Sequence, residues 1–370
     1  MSINATTSLV LITEIKLENF RCYEYIELPI KSGVTLIYGE NGSGKSSIIE
    51  ALYFSISGKS FRVTDTNAVI RKNLKQTQTF ITFSNGSGVK ITKKLNEKSK
   101  IIQTKDKKTL SYSQLVTNYP SCLIENKEFF FTTSSPEEKR SFLNKTLFYV
   151  EQNSKKTLNE LKKILYQRSA CLKNRDLAQL PYWDSKLILL EPLITENNLN
   201  LVQSINEMLK NSNLSNHFSI KNPWLKDLNI QYSHGYDKNQ SFSSILQQNM
   251  EKDMILKRTT AGPHRRTFDL LINNKSAYEI LSRGQQKIAS IMLHLLQREL
   301  IKIHTEVEPI VLMDDISSEL DNDNANLMLK YLLNNNIQTI MTSIENKRFL
   351  DEKDLTMFYV EQIGDKSNVK

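Results

Sequence analysis

The run Gly39-Glu40-Asn41-Gly42-Ser43-Gly44-Lys45-Ser46 has the spacing G-x-x-x-x-G-K-[ST], and few folds accommodate it. A buried-strand pattern, VTLIYG (34–39), leads into it, and a helical pattern, SSIIEALYFSI (46–56), follows. Strand, glycine loop and helix start in this order make an anion cradle, because backbone N–H groups and the positive end of the helix converge on one point. The spacing predicts that Gly39 to Ser47 surround the β- and γ-phosphates of ATP, with Lys45 on their oxygens and Ser46 as a Mg2+ ligand. A chance glycine turn is the alternative, and the flanking strand and helix argue against it.

Far along the chain, IVLMDD (310–315) reads as an apolar buried strand ending in two carboxylates. Asp314 is expected at the Mg2+, and Asp315, one position on, is expected to orient or deprotonate an attacking water. Adjacent like charges are costly without a cation to offset them, which favours this reading over two helix-capping aspartates. SSELD (317–321) follows and reads either as a capping segment or as a loop at a dimer seam, with Asp321 at its end. LSRGQQ (281–286) opens a long amphipathic stretch with Ser282, Arg283, Gly284 and Gln285, a polar helix start in need of a ligand.

At 370 residues the chain exceeds one ordinary hydrophobic core, so about two domains or lobes are expected. SLVLI (8–12) is too short for a membrane span and has no basic residue before it, so a soluble cytoplasmic protein is expected. Cys22, Cys122 and Cys171 are odd in number and widely spaced, which disfavours a disulfide framework or a thiolate metal site. The five histidines show no H-x-x-x-H pair, which disfavours a zinc enzyme. Net charge is +9, and residues 1–110 hold 17 Lys and Arg against 9 Asp and Glu. KITKKLNEKSK (90–100) and KDKK (105–108) read equally well as a surface facing a polyanion or as a solvated hairpin edge.

Changes of hydrophobic period mark the organisation. ITEIKLENF (12–20) alternates as a strand, and TFITF (79–83), GVKITKKL (88–95) and KIIQTK (100–105), separated by turn material such as SNGSG, read as an antiparallel meander beside the strand, loop and helix of the glycine run. From about residue 136 the period becomes helical: Leu158, Leu161, Leu165 and Leu172 share one face, and a second run covers 185–212, predicting a helical hairpin or small bundle. After AGPHRR (261–266) come a strand TFDLLI (267–272), a helix at about 285–304, a strand PIVLMDD, a helix at about 320–333, and strands IQTIMTS (337–343) and LTMFYVEQ (355–362). This order predicts a parallel sheet whose natural partner is the strand before the glycine loop. The predicted division is an N-terminal ATPase part at 1–118, an inserted helical lobe at 119–266 and a C-terminal ATPase part at 267–370. The fold class is α/β: an ABC-type (P-loop) ATPase head with a mixed sheet, plus an inserted, mainly helical lobe.

The glycine loop, SRGQQ, the strand ending in DD and the following SELD occur together, in this order, in ABC-type ATPases. The likeness implies that Ser282 and the Gly284 backbone, flanked by Arg283 and Gln285, contact ATP held by a second copy. The further segments IKLENFRCYE (15–24), GKSFR (58–62), YQRSACLK (166–173), WD (183–184) and TTAGPHRR (259–266) resemble, through nearly the whole chain, the RecF family of bacterial recombination mediators, SMC-like ATPases of gap repair. That resemblance implies ATP and Mg2+ as cofactors, with Arg21 reaching the phosphates and Arg62 adding charge near them or the seam. It also implies an ATP-dependent homodimer on duplex or gapped DNA, RecR as partner with RecO and RecA acting alongside, and weak DNA-stimulated hydrolysis that releases the clamp.

Three departures from the family pattern stand out. Arg266 replaces the acid of GPHRD, Lys139 takes the first arginine place in SPEEKR (135–140), and MTS (341–343) stands where many ABC proteins, in the wider class, have a switch histidine, leaving Thr342 or Ser343 to sense the γ-phosphate. RecF-like proteins share the last feature. His264 reads as structural, Arg265 and Arg266 as contacts to DNA phosphate or to the acids of EKD (251–253), and Trp183 and Phe129–Phe131 as packing aromatics rather than base-stacking ones. Two other functions fit the same motifs: an ATP-binding interaction module without useful turnover, kept open by Asp315 being shorter than glutamate, and an SMC-like nuclease subunit or anti-phage ATPase. The short helical insert and the lack of a metal-rich constellation argue against the latter.

Overall fold

The computed structural model describes residues 10–125, 131–315, 320–345, 355–364 and 366–370. They fall into two compact units, one built from Met1–Glu128 and Gln297–Lys370, the other from Phe129–Leu296. Among the described residues no helix is long and apolar enough to cross a membrane.

In the first unit, β1 (Ile12–Phe20) and β2 (Tyr23–Pro29) form a hairpin, and β3 (Val34–Tyr38) is buried on four of its five residues before the glycine loop leads into α1 (Lys45–Ser57). Then come β4 (Gln76–Phe83), β5 (Gly88–Lys94), β6 (Lys100–Gln103), β7 (Lys108–Thr109), α2 (Tyr112–Asn118) and β8 (Ser121–Ile124). β4 buries every second side chain from Thr77 to Phe83 and β5 does so from Val89 to Lys93, while β1 buries Ile12, Ile15, Leu17 and Phe20 around a register shift; these strands join an antiparallel sheet in the order β2-β1-β4-β5-β6-β7. The expected meander is therefore present.

The second unit contains α3 (Pro136–Val150), α4 (Ser154–Asn174), α5 (Leu180–Asn211) and α6 (Asn213–Ser219), then β9 (Leu228–Ser233), α7 (Phe242–Gln248), α8 (Met250–Leu256), β10 (Thr267–Ile272), β11 (Lys275–Ser276) and α9 (Ala277–Ile280). α4 and α5 pack as the expected helical pair, with Leu161, Ile164, Leu187, Leu190 and Ile194 in one core and Trp183 against it. α10 (Arg283–Thr305) begins in this unit and its last turns belong to the first.

β12 (Ile310–Met313), α11 (Asn322–Asn334), β13 (Thr339–Ser343), β14 (Leu355–Ile363) and β15 (Lys366–Val369) return to the first unit. They complete a mixed sheet in the order β15-β14-β3-β13-β12-β8, parallel throughout except for β15. β3 joins the C-terminal parallel strands, as the sequence predicted, and sits between β14 and β13; α1 packs against strands of both sheets, buried at eleven of thirteen residues. A helix enclosed on nearly all sides needs apolar residues all round, which IIEALYFSI supplies except at Glu50 and at Ser55, whose hydroxyl donates to the Ala51 carbonyl at 2.7 Å.

The observed bounds differ from those predicted, for two physical reasons. Ser121–Ile124, expected in the helical lobe, is a short buried strand whose ladder to β12 ties it to the ATPase sheet. Thr267–Ile272, expected in that sheet, pairs instead with β9 along its whole length, in a three-stranded sheet β11-β10-β9 within the second unit. Alternation in TFDLLI identifies a strand but not its partner.

Candidate functional site

The parallel sheet places the glycine loop at the carboxyl end of β3, where ligands of open α/β sheets bind. The loop is held from behind. Gly39 has φ +152°, and a Cβ there would lie 2.1 Å from the Val360 carbonyl oxygen of β14. Gly44, the residue before α1, has φ +109°, and a Cβ there would come within 2.9 Å of Ser367 Oγ, Tyr23 Oη and Cys22 Sγ. Both glycines are required for conformation and for space. Tyr23 also donates its hydroxyl to the Gly44 carbonyl at 3.1 Å.

A cleft of about 540 Å3 opens over this loop and is lined by Asn41, Lys45, Ser46, Arg21, Asp315 and Thr342 among others. Lys45 Nζ donates to the carbonyl oxygens of Gly39 and Glu40, each at 2.7 Å. Burial lowers its pKa, while the charges of Asp315 and Asp314 pull the other way. The two aspartates are joined by one hydroxyl: Thr342 Oγ1 accepts from the Asp315 N–H at 2.7 Å and donates to Asp314 Oδ1 at 2.9 Å. Asp315 has φ +48°, a strained conformation for a residue with a side chain, of the kind that clusters at working sites. Of the two residues proposed to sense the γ-phosphate, Thr342 holds this position, and Ser343 turns its hydroxyl to the Glu345 carbonyl.

The fit to a nucleotide rests on donors. Ser43 Oγ is buried within the loop with no partner, beside a lysine ammonium and a helix start whose first N–H groups lack helical acceptors. An anion with several oxygens satisfies such a set. Ser46, partly exposed at the first turn of α1, and Asp314, across the cleft on the end of β12, are oxygen ligands of the hard kind that Mg2+ takes.

Glu50 is a residue beside the cleft that the sequence reading did not single out. It is fully buried on α1 and takes Arg21 in a fork, Nε at 2.9 Å and Nη2 at 2.6 Å. Ser60 Oγ donates to it at 2.5 Å, and Arg62 Nη1 stands 3.6 Å away. Arg21, at φ +51° in the β1–β2 turn, also donates to the Ala68 carbonyl. One carboxylate thus fixes both arginines at the cleft. The only visible signal was an acid inside the otherwise apolar IIEALYF.

LSRGQQ forms a reciprocal cap on α10: Ser282 N–H donates to Gln285 Oε1 at 2.9 Å, and Gln285 N–H to Ser282 Oγ at 3.4 Å. Gln286 is buried, donating to the Leu281 carbonyl and accepting from Thr132, while Ser282 and Arg283 are exposed and Gly284 is half-buried. Of SSELD, Leu320 and Asp321 are described, whereas 317–319 lie outside the described residues. Asp321 caps α11, accepting from Asn324 N–H at 2.7 Å.

The RecF-like segments of the second unit meet in one buried network. Arg168 of YQRSA is fully buried and donates to Asp184 of WD and to Asp253, both at 2.6 Å, and to Thr259 of TTAGP at 3.0 Å. Asp253 accepts in turn from Thr260. His264 Nε2 lies 3.0 Å from the Thr259 carbonyl, so that nitrogen carries the proton, and burial pushes its pKa down to about 4. A histidine neutral and tied at neutral pH is structural, as read. Arg266 corrects its reading: it meets neither solvent nor the EKD acids, but is buried and donates to Asn198 at 3.2 Å, to the Pro263 carbonyl at 2.8 Å and to Asn144. Arg265 is exposed. Lys139 is buried against Asp269 at 3.1 Å, so its departure from arginine is accommodated by a local ion pair. Phe131 packs on Phe142, Phe268 and His294; Phe129 and Phe130 lie outside the described residues.

A glycine loop after a central parallel strand, an acid pair at the end of the next strand but one and a separate helical unit define an ABC-type P-loop ATPase head. The profile of the RecF/RecN/SMC N terminal domain matches residues 11–366. The DNA replication and repair protein RecF of Shewanella halifaxensis is 30% identical over 359 residues, 95% of this chain and 96% of that one. RecF of Shewanella sp. (strain MR-7) is 29% identical over 356 residues, 94% and 97% of the two chains. Among solved structures, the recombination mediator RecF-ATP of the RecFOR pathway superposes with a TM-score of 0.81 at 20% identity over 100% of both chains. An Smc head bound to the C-winged helix domain of ScpA gives 0.57 at 15% over 97% and 96%. This chain belongs to the RecF family.

Proposed function

We propose that the protein is an ATP-gated DNA-binding protein of recombinational gap repair, in which nucleotide controls closure of a homodimer on DNA. The observation that carries this reading is the cleft in which Lys45 faces an acid pair joined through Thr342, beside the orphaned Ser43 hydroxyl. Lys45 exchanges its two loop carbonyls for β/γ-phosphate oxygens, and the loop N–H groups from Asn41 to Ser47 hold the rest. Ser46 and Asp314 hold Mg2+, which when bound offsets charge on the transferred phosphoryl group. Asp315 orients the attacking water, and Thr342 links it to the metal ligand, so one hydroxyl reports whether the γ-phosphate is present. Arg21 and Arg62, aimed by Glu50, add positive charge at the phosphates.

The exposed Ser282–Arg283 start of α10, with Gly284 and Gln285, contacts the γ-phosphate of a second copy, and Asp321 stands at the seam. The closed dimer grips duplex DNA beside a single-strand gap. The superposed RecF proteins are recombination mediators of the RecFOR pathway. RecR and RecO are accordingly the proposed partners, with RecA loading the outcome and slow, DNA-stimulated hydrolysis the release step.

Asp315→Asn tests the chemistry. It is expected to leave ATP affinity within about twofold and to slow single-turnover hydrolysis of radiolabelled ATP by on the order of 100-fold, the usual weight of one acid-base group. Unchanged hydrolysis removes Asp315 from its role. Absence of hydrolysis in the unsubstituted protein, even with gapped DNA, favours an ATP-binding module without turnover.

A further inference from the structure

We propose that the solvent face of α4 in the second unit is a contact surface for the phosphate backbone of duplex DNA, an assignment that rests on the DNA-binding reading above. On this helix Leu161, Ile164, Arg168, Cys171 and Leu172 point inward. Lys155, Lys156, Lys162, Lys163 and Lys173 are exposed, with Tyr166 among them at 74% exposure. At about 100° per residue, Lys155, Lys162, Tyr166 and Lys173 fall within about 40° of one another, and Lys156 and Lys163 lie along one flank. None of the five lysines forms an ion pair with a described residue. Glu160, the helix's one acid, stands beyond that flank.

An ordinary solvated helix face mixes signs. α5 does so, exposing Lys186, Glu196, Glu207 and Lys210, with Tyr182, Leu189 and Leu193 between them. A single-sign stripe costs mutual repulsion unless a polyanion faces it. From Lys155 to Lys173 the stripe runs about 27 Å at about 1.5 Å per residue. Duplex DNA presents a phosphate charge about every 1.7 Å of its axis, so a stripe of that length meets a phosphate at each lysine without base-specific geometry. Tyr166 can donate its hydroxyl to a phosphate or lie against a sugar, contacts that position a duplex without reading its sequence. Flexible ammonium groups on a helix suit this positioning role better than sequence readout.

The test compares two triple variants of the full-length protein that lose the same charge. Lys155→Gln with Lys162→Gln and Lys173→Gln neutralises the stripe, while Lys226→Gln with Lys238→Gln and Lys252→Gln neutralises three exposed lysines elsewhere in the unit. Binding to a gapped duplex with Mg-ATP is measured from about 50 to 200 mM salt, with melting temperature as the fold control. The stripe variant is expected to lose at least about tenfold in affinity and to lower the slope of log K against log salt by about three, at about 0.9 per phosphate contact. The control variant keeps both within error. Equal losses in the two variants would reduce the effect to net charge and overturn the assignment. Unchanged affinity and slope in the stripe variant would likewise overturn it, giving that face to solvent or to an acidic protein surface. Failure of the unsubstituted protein to bind DNA would sink the functional reading and this assignment together.

Discussion

Lys45→Ala is expected to abolish ATP binding while leaving the fold intact. In the structure the ammonium donates to the Gly39 and Glu40 carbonyls, and the loop is also held by its glycine conformations, by the Ser43 N–H bond to the Glu40 carbonyl and by the Tyr23 hydroxyl on the Gly44 carbonyl. Removing the side chain therefore takes away phosphate donors without removing the loop's other braces. Hydrogen bonds to charged groups contribute about 1.5–3 kcal/mol each, so losing two costs on the order of 100-fold or more in Kd. Isothermal titration with Mg-ATP reads the loss, and an unchanged melting temperature without nucleotide shows that it is local. Retained micromolar affinity would mean that the cleft binds nucleotide in some other way.

Arg168→Met should produce the largest loss of stability. The guanidinium is fully buried, and its removal strands Asp253, which is also fully buried, together with the mostly buried Asp184. Breaking a buried pair by deleting one partner costs about 3–5 kcal/mol, because the remaining charge is left without compensation. In a unit of this size that corresponds to a fall of roughly 10 °C in melting temperature. Hydrogen exchange is the better measurement, since two units need not melt as one. Amides in α4, α5 and α8 should lose protection while those in β3 and α1 keep theirs. Uniform loss throughout the chain would show that the network supports more than the unit containing it.

The contrast between these two residues shows what the sequence makes legible. Lys45 is readable because its neighbours in the chain are its neighbours in space: the loop, the strand before it and the helix after it are all local. Arg168 is not, because its partners lie 16, 85 and 91 residues away, and only the recurrence of YQRSA, WD and TTAGP as a set marked it. Glu50 is hidden for a related reason, since Arg21 and Arg62 come to it from separate turns. Strands such as TFDLLI were recognisable as strands, but their sheets were not, because alternation records a buried face and says nothing of the neighbouring ladder. Polar caps carry the same ambiguity. Ser282 and Asp321 satisfy helix ends within the chain, and their exposed neighbours are what leave room for a second role.

ATP-dependent dimerisation is measured most directly by sedimentation of the 42.7 kDa chain, with and without Mg-ATP and gapped DNA. The protein should be monomeric without nucleotide and approach twice that mass with Mg-ATP, more completely with gapped DNA present. Ser282→Arg should bind ATP normally yet remain monomeric, because the exposed start of α10 is blocked without touching the cleft of its own chain. A wild-type protein that stays monomeric at saturating Mg-ATP and DNA, or a Ser282→Arg variant that dimerises normally, would contradict the account.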